Sequence, residues 1–198
     1  MANIITLSRI FLAFISMGLL FFGSKEAPNY AHISVILTVF VMWFDGLDGY
    51  IARKFNESSK LGAVLDIMGD RIVENIYWIT FCALGWINVA VPLIVVSRGI
   101  ITDSLRSLAL ADGYTAFGEK TMMQGKIAKF IVASNFSRFT YAVCKAIAFF
   151  FLILGHTRYD YPHKETVLQI GIICTVIAVI FCVLRGLPVV FGSKRFLK

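Results

Sequence analysis

Charged residues are scarce in this sequence, and their scarcity argues against an ordinary soluble protein. Lysine, arginine, aspartate and glutamate make up 16% of the 198 residues, whereas about a quarter of the residues of a typical soluble domain are charged. Hydrophobic residues account for 58%, and the mean hydropathy is +0.78. Prolines number only four, and no low-complexity tract or linker divides the chain. We therefore predict a single integral membrane domain over residues 1–198.

Paired cysteine motifs are also missing, so the sequence predicts neither a zinc site nor a disulfide framework. All four cysteines lie inside apolar runs and none forms a CxxC pair, which is typical of small apolar packing residues. No basic run is interleaved with aromatic residues, so the net charge of +7 does not indicate binding to nucleic acid. Basic loops that flank membrane spans explain this charge better.

Six stretches are apolar enough to cross a bilayer, which takes about 20 mostly apolar residues. They cover residues 4–23, 31–53, 61–84, 87–110, 126–155 and 167–191. This pattern predicts an all-α membrane bundle of six transmembrane helices. The fifth stretch is overlong and allows a second interpretation, in which an interfacial helix over about 120–135 precedes a span that begins near Phe139. Arg138 would then lie at the water boundary.

The distribution of basic residues predicts the orientation of these spans. Six spans place both termini on one side of the membrane, together with the loops at 53–60 and 111–126. That side is the richer in lysine and arginine, so the positive-inside rule makes it cytoplasmic. The first apolar run is too long for a cleavable signal peptide and has no small-residue cleavage site. We expect it to remain as a span.

Two pairs of aspartates interrupt the apolar runs. Asp45 and Asp48 are three residues apart, and Asp66 and Asp70 are four apart, so each pair shares a helix face at about 3.6 residues per turn. The loop between the second and third spans is short, which makes these spans antiparallel neighbours and brings the pairs together near the cytoplasmic face. Glu74, one turn further on, is either a partner of this site or a polar group inside the bundle. Four converging carboxylates repel one another unless cations bridge them.

Divalent cations are the partners that such a cluster requires. Oxygen ligands without histidine or cysteine favour Mg²⁺, Mn²⁺ or Ca²⁺ over zinc, and two ions neutralise four carboxylates. Two metals about 4 Å apart can clamp a phosphoryl group during displacement, and Arg53 adds a cation for a pyrophosphate. Gly49 and Gly62 are poor helix residues, and Ala52 is small. Beside the carboxylates, we interpret these three as positions where a ligand approaches the backbone.

The stretch "DGLDGYIARKFNESSKLGAVLDIMGD", residues 45–70, resembles the signature of the CDP-alcohol phosphatidyltransferase family. That signature is written D-x2-D-G-x2-A-R-x(7–8)-G-x3-D-x3-D. Every fixed position is present in this chain, as Asp45, Asp48, Gly49, Ala52, Arg53, Gly62, Asp66 and Asp70. The family's usual fold also has six spans, in agreement with the pattern above.

The resemblance implies a role for each matched residue. Asp45, Asp48 and Asp66 hold two Mg²⁺ or Mn²⁺ ions, and Asp70 is a further ligand and the general base. Arg53 binds the pyrophosphate of CDP-diacylglycerol. Gly49, Ala52 and Gly62 leave space for its cytidine and diphosphate. An acceptor hydroxyl attacks the lipid-side phosphorus and CMP leaves. The resemblance also implies a homodimer among membrane lipids. The segment "NIITLSR" near the start of this chain resembles the start of family sequences, which implies that Asn3, Thr6 and Arg9 contact the nucleotide side of the substrate.

The acceptor alcohol is indicated by two shorter stretches. "SRGIITDSLR" and "GKIAK" resemble segments of bacterial phosphatidylglycerophosphate synthases, which implies a bacterial cytoplasmic membrane and a phosphorylated acceptor. Arg98 and Arg106 are eight residues apart and share a helix face. With Lys126, they would bind the phosphate of glycerol 3-phosphate.

This chain departs from those segments in ways that leave other acceptors open. Gly99 replaces an expected acid, and residues 128–129 alter the second segment. Arg138, Tyr141 and Lys145 form a further polar stripe at helical spacing. The stripe would bind a phosphorylated acceptor such as inositol phosphate, or lipid head groups, or it snorkels to the interface.

A divalent-cation transporter is the alternative of a different class. Such a protein needs acidic residues along a route through the membrane. Here the acidic cluster lies on one side, and a cation path leaves Arg53 unexplained. We therefore favour the enzyme.

Overall fold

The computed structural model is all-α over the part of the chain that it describes, where no strand occurs. The described residues are 2–23, 29–54, 60–111, 130–132, 134–157 and 161–193, and over 45–54 the description is limited to the helical backbone. The predicted fold class is confirmed.

Six long helices account for most of the described residues. They are α1 Ala2–Gly18, α2 Asn29–Lys54, α3 Lys60–Ala83, α4 Ala90–Ala111, α5 Asn135–Gly155 and α6 Lys164–Gly192. A π-helical turn, Leu19–Gly23, follows α1. Five of the six predicted spans agree with these bounds to within a few residues, because long apolar runs that must satisfy their own backbone hydrogen bonds form helices.

The fifth predicted span begins differently. Helical residues 130–132 precede α5, and Ser134 between them is not helical. Hydrogen bonding nevertheless continues, because the Ser134 amide donates to the Phe130 carbonyl at 3.3 Å and the Arg138 amide donates to the Ser134 carbonyl at 3.2 Å. Arg138 therefore lies in the first turn of α5 with an exposed side chain. The predicted interfacial helix falls mostly on residues 112–129, which lie outside the described part of the chain.

Three described segments are long and apolar enough to cross a membrane by themselves. They are Asn3–Phe22, Phe130–Gly155 and Lys164–Gly192. The apolar part of α2 is shorter, Tyr30–Phe44, and charged residues such as Asp66 and Arg98 interrupt the apolar runs of α3 and α4. These segments identify an integral membrane protein.

The chain forms two compact units, of which the first comprises Met1–Val89 and Ala146–Ile172. Inside it, buried hydroxyl groups link three helices. The Ser34 hydroxyl of α2 donates to the Ser16 carbonyl of α1 at 2.8 Å, and the Ser16 hydroxyl donates to the Ser34 carbonyl at 3.1 Å. The Tyr77 hydroxyl of α3 donates to Thr38 Oγ1 of α2 at 2.9 Å. These bonds satisfy groups that would be costly to leave unpaired in an apolar interior.

Aromatic rings form another part of the interior of this first unit. The Phe149 ring stacks on Tyr77 with 4.5 Å between centroids, and it meets Trp78 edge to face at 4.7 Å. Nearby, the rings of Trp86 and His156 stack at 4.1 Å. Large buried rings such as Tyr77, Trp78 and Phe149 supply much of the packing of a small core.

The second unit comprises Ala90–Lys145 and Ile173–Lys198. Its core is a small cluster of Ala109, Val132 and Val189. A buried cation, Arg185, lies one helical turn before Val189. The prediction of one domain over residues 1–198 stays a prediction.

Candidate functional site

Two of the four predicted metal ligands share one open face of α3. Asp66 and Asp70 are four residues apart in this helix, about one turn, and both are exposed, with 51% of the Asp70 side chain accessible. Asp45 and Asp48 lie within α2, but their side chains are outside the described part. Among described residues, no three acidic, histidine or cysteine side chains form a metal-binding group. The meeting of four carboxylates stays a prediction.

The contact between α2 and α3 nevertheless indicates how the two pairs align. Thr38 and Tyr77 touch across this pair of helices, and only residues 55–59 connect them, so the helices run in opposite directions. Seven residues beyond Thr38 is position 45, and seven before Tyr77 is position 70. Seven residues make about two turns, so positions 45 and 70 come level on the faces that already meet.

Arg9 of α1 forms an ion pair with Asp70. Its Nη2 atom donates to Asp70 Oδ1 at 2.7 Å, and the arginine side chain is only 1% exposed. This distance is that of a charge-assisted hydrogen bond. The nucleotide contact expected of Arg9 stays a prediction, and the sequence reasoning did not anticipate its contact with the carboxylate.

A close approach of α1 to α3 makes this ion pair possible. A Cβ atom at Gly69 would lie 2.7 Å from Thr6 Cγ2 and 3.2 Å from Arg9 Nη2. Thr6 is buried and Asn3 is half-buried on the same helix. Two of the predicted nucleotide-side residues, Thr6 and Arg9, therefore pack against the helix that carries the aspartates.

Glu74 continues the acidic stripe into the interior. It is 3% exposed, and its Oε2 atom lies 3.5 Å from Nη1 of Arg71, which is three residues earlier in α3. Of the two interpretations left open, a polar group facing the interior is the one that this burial supports.

The basic residues predicted for the acceptor lie in the second unit. Arg98 in α4 runs alongside Gly186 of α6, where an added Cβ would be 2.9 Å from Arg98 Cγ and 3.1 Å from Nε. A cavity of about 170 Å³ borders this contact, lined by Arg98, Thr102 and apolar side chains of both helices. Arg106 pairs with Asp103 at 3.5 Å. Lys126 lies outside the described residues.

Arg185 is a functional candidate that the sequence reasoning missed. Its guanidinium donates to the Ser137 carbonyl at 3.1 Å and to the Val132 carbonyl at 3.4 Å, and lies 5.6 Å from the centre of the Tyr141 ring. It belongs to the same compact unit as three of the predicted acceptor residues: Arg98, Arg106 and Arg138. A signal for it existed, since a cation inside the most apolar helix is unusual.

Two residues of the polar stripe on α5 are in contact. Lys145 Nζ lies 4.6 Å from the centre of the Tyr141 ring, a cation–π contact one turn apart. Arg138, at the start of the stripe, is exposed. Lys145 and Arg185 thus both lie close to the Tyr141 ring, and clustered positive charge is typical of an anion site.

The remaining predicted ligand contacts are only partly described. Gly62 is half-buried in the first turn of α3. Gly49, Ala52 and Arg53 are helical positions of α2 whose side chains are outside the description. Their roles stay predictions.

Comparison with known proteins adds a family to this geometry. A family model described as CDP-alcohol phosphatidyltransferase matches residues 1–184. A Pseudomonas fluorescens protein named CDP-diacylglycerol–glycerol-3-phosphate 3-phosphatidyltransferase is 27% identical over 183 residues, covering 83% of this chain and 91% of that protein.

Two other relatives match over shorter lengths. A protein of the same name from Aquifex aeolicus is 39% identical over 70 residues, 35% of this chain. A Schizosaccharomyces pombe protein named CDP-diacylglycerol–inositol 3-phosphatidyltransferase is 35% identical over 112 residues, 57% of this chain. The matched regions cover only 36% and 40% of these two relatives.

Proposed function

Because the chain belongs to the CDP-alcohol phosphatidyltransferase family, we propose that it transfers the phosphatidyl group of CDP-diacylglycerol to glycerol 3-phosphate and releases CMP. The observation that carries this proposal is the family signature across α2 and α3, which presents Asp66 and Asp70 on an exposed helix face. Family membership also favours an enzyme over a divalent-cation transporter.

The donor set of the signature fits hard divalent cations. Its four aspartates, Asp45, Asp48, Asp66 and Asp70, offer only carboxylate oxygens, which Mg²⁺ and Mn²⁺ prefer. The level alignment of positions 45 and 70 supports one shared site. In this proposal the aspartates hold two ions, which when bound stabilise the charge that develops on the phosphoryl oxygens.

Asp70 is the general base of the proposed reaction. Its exposed carboxylate takes the proton of the acceptor hydroxyl, and the acceptor oxygen forms a bond to the phosphorus that carries diacylglycerol. The bond from that phosphorus to the bridging oxygen of the pyrophosphate breaks, and CMP leaves with this oxygen. Arg53 binds the pyrophosphate, and Gly49, Ala52 and Gly62 leave room for the nucleotide.

In this proposal the phosphate of the acceptor binds Arg98, Arg106 and Arg138. A phosphate dianion would offset the positive charge of these arginines and of the buried Arg185 in the same unit. Arginine suits this role because its planar donors match phosphate oxygens. Lys126 joins them in the proposal, as the "GKIAK" resemblance implies.

An inositol-type acceptor is the second candidate. The Schizosaccharomyces pombe relative is named for inositol, and the Arg138–Tyr141–Lys145 stripe offers further contacts to a larger polar alcohol, including inositol phosphate. The Pseudomonas fluorescens relative, which matches over most of this chain, is named for glycerol 3-phosphate and supports that acceptor first.

The proposal includes a bacterial cytoplasmic membrane, with both termini and the active site on the cytoplasmic side, and a homodimer. The excess of basic residues in the loops that flank the spans supports this orientation. A reporter active only in the cytoplasm, fused after Lys198, should be active. A signal solely from a periplasmic reporter at that position would overturn the orientation.

Release of CMP by purified protein tests the proposed reaction. CDP-diacylglycerol and Mg²⁺ or Mn²⁺ are supplied with glycerol 3-phosphate, inositol phosphate, inositol or serine, each added singly. We expect release with glycerol 3-phosphate, no release after metal chelation, and a loss of about 10²–10⁴-fold in Asp70→Asn, the usual contribution of a general base.

The matched control is Glu165→Gln, the same carboxylate-to-amide change at an exposed position of α6, which should keep the wild-type rate. Release of CMP with inositol phosphate alone would identify the second candidate as the acceptor. No release with any acceptor would overturn the proposed function.

A further inference from the structure

We infer that Arg9 is a positioning residue for the Asp70 carboxylate, and that Gly69 is the residue that lets Arg9 reach it. This inference rests on the proposed function, in which Asp70 is the base. It assigns Arg9 a task other than nucleotide binding, and it gives a role to Gly69, which is not a fixed position of the family signature.

The ion pair has the geometry of a restraint on one carboxylate oxygen. Arg9 Nη2 donates to Asp70 Oδ1 at 2.7 Å. The arginine is 1% exposed while the Asp70 side chain is 51% exposed. The cation is therefore held by its surroundings, and the carboxylate stays open to an incoming hydroxyl. A base restrained in this way is preorganised for proton transfer.

Burial explains why this arginine holds the carboxylate so firmly. A charged group taken out of water is retained when it is paired and hydrogen-bonded. Arg9 is among the largest fully buried side chains of the described residues. Its guanidinium is fixed between α1 and α3, so it limits how far the Asp70 carboxylate can turn.

Gly69 provides the space that this arrangement requires. Glycine is unfavourable inside a helix, yet it precedes Asp70 near the middle of α3. An added Cβ would lie 2.7 Å from Thr6 Cγ2, a distance that forces a shift, and 3.2 Å from Arg9 Nη2. Any larger residue would therefore force Thr6 to shift and would crowd the guanidinium at the carboxylate.

Kinetics and nucleotide binding separate positioning from a direct nucleotide contact. In Arg9→Gln we expect kcat to fall about 10–100-fold, as for other residues that orient a functional ligand. The affinity of Arg9→Gln for CDP is measured by calorimetry with saturating Mg²⁺. The Asp70→Asn variant shows how much affinity is lost when the carboxylate alone is disturbed. Arg9→Gln should bind CDP no more weakly than Asp70→Asn does. Arg9→Lys, which keeps the charge, should recover part of kcat.

The role of Gly69 is tested by adding a Cβ atom at this position and by changing its neighbours Thr6 and Arg9. Gly69→Ala should lower kcat about as much as Arg9→Gln, and it should add no further loss in the Arg9→Gln background, because it acts through Arg9. Thr6→Ser removes the Cγ2 atom in the 2.7 Å contact, so it should restore part of the rate of Gly69→Ala. Gly18→Ala is the matched control, since a Cβ there meets nothing within 4 Å.

Each other outcome overturns the inference. An unchanged kcat in Arg9→Gln would show that the ion pair does not serve the reaction. A CDP affinity weaker than that of Asp70→Asn would make Arg9 a nucleotide contact. The fold-losses in kcat of Arg9→Gln and Gly69→Ala could instead multiply in the double variant, while each single variant keeps the wild-type melting temperature. That result would show that Gly69 does not act through Arg9. Failure of the wild type to release CMP would instead count against the proposed function.

Discussion

At the scale of single residues, two glycines explain contacts that their neighbours make. Gly69 lets α1 approach the acidic face of α3, and Gly186 lets the Arg98 side chain lie along α6. In both places the absence of a side chain on the glycine leaves space for an arginine side chain, Arg9 at Gly69 and Arg98 at Gly186. Small residues are frequent where membrane helices approach closely, and these two also stand beside groups with proposed chemical roles.

Gly186→Ala should weaken the binding of the acceptor phosphate. An added Cβ would lie 2.9 Å from Arg98 Cγ, so the guanidinium must move. We expect KM for glycerol 3-phosphate to rise about three- to tenfold, part of the roughly 1.5–3 kcal/mol of a hydrogen bond to a charged group. Steady-state kinetics with each substrate varied in turn will measure this.

The KM for CDP-diacylglycerol serves as the internal reference for Gly186→Ala. A loss of uniform binding appears in the KM of the substrate concerned, and Arg98 is proposed to bind the acceptor. The KM for CDP-diacylglycerol should therefore stay within about twofold. A rise in that KM, with glycerol 3-phosphate unaffected, would contradict the role of Arg98 in acceptor binding.

At the scale of helices, buried hydroxyl groups join α1, α2 and α3. Ser16, Ser34, Thr38 and Tyr77 are each fully buried and bond to one another or to main-chain carbonyls. In a membrane, apolar side chains gain little by leaving lipid for another helix, so polar contacts and close packing provide much of the association. This network holds α2 and α3 in the register that aligns positions 45 and 70.

Tyr77→Phe should destabilise the protein by about 0.6 kcal/mol, the average measured for hydrogen bonds between membrane helices, and by no more than the measured maximum of about 1.7 kcal/mol. The change removes the donor to Thr38 Oγ1 at 2.9 Å and keeps the ring that stacks on Phe149. Unfolding by SDS in mixed micelles, followed by circular dichroism, will measure the free energy of unfolding.

Tyr30→Phe makes the same chemical change at an exposed position of α2 and should leave that free energy unchanged. Equal stability of Tyr77→Phe and the wild type would mean that the network contributes no net stability.

At the scale of the whole molecule, stability should depend on pH through a histidine outside the spans. The His156 ring stacks on Trp86 at 4.1 Å, and its Nδ1–H donates to the Leu152 carbonyl at 2.8 Å. Burial lowers the pKa of His156 below its ordinary value of 6.5; Lys164 acts in the same direction and the Leu152 carbonyl in the opposite one. The folded protein therefore binds this proton more weakly than the unfolded chain.

We expect the melting temperature in micelles to fall as the pH drops below about 6.5. From there down to the lowered pKa of the folded state, the unfolded chain takes up the proton and the folded protein does not, so acid favours unfolding. Above pH 6.5 this contribution is fully present. Melting curves from pH 8 to pH 5 will measure it.

His156→Gln should flatten that dependence, whereas His32→Gln, at an exposed position of α2, should keep the wild-type slope. A melting temperature of His156→Gln that follows pH as the wild type does would assign the dependence to other groups.

Helix positions and the acidic signature could be predicted because both are local patterns. An apolar run of about 20 residues identifies a span wherever the rest of the chain lies, and Asp66 and Asp70 share a face because of helical periodicity. The same reasoning located Arg98 and Arg106 on α4. The start of α5 was harder to predict, because the change near Ser134 follows no Gly or Pro signal.

Contacts between residues far apart in the chain depend on how the helices pack. Arg9 and Asp70 are 61 positions apart, and no periodicity relates them; they meet because Gly69 admits α1. Arg185 joins the basic residues of its unit for a similar reason, through carbonyls of residues 132 and 137. Local patterns thus determine which chemistry this chain carries, whereas the packing of its helices determines which side chain restrains Asp70.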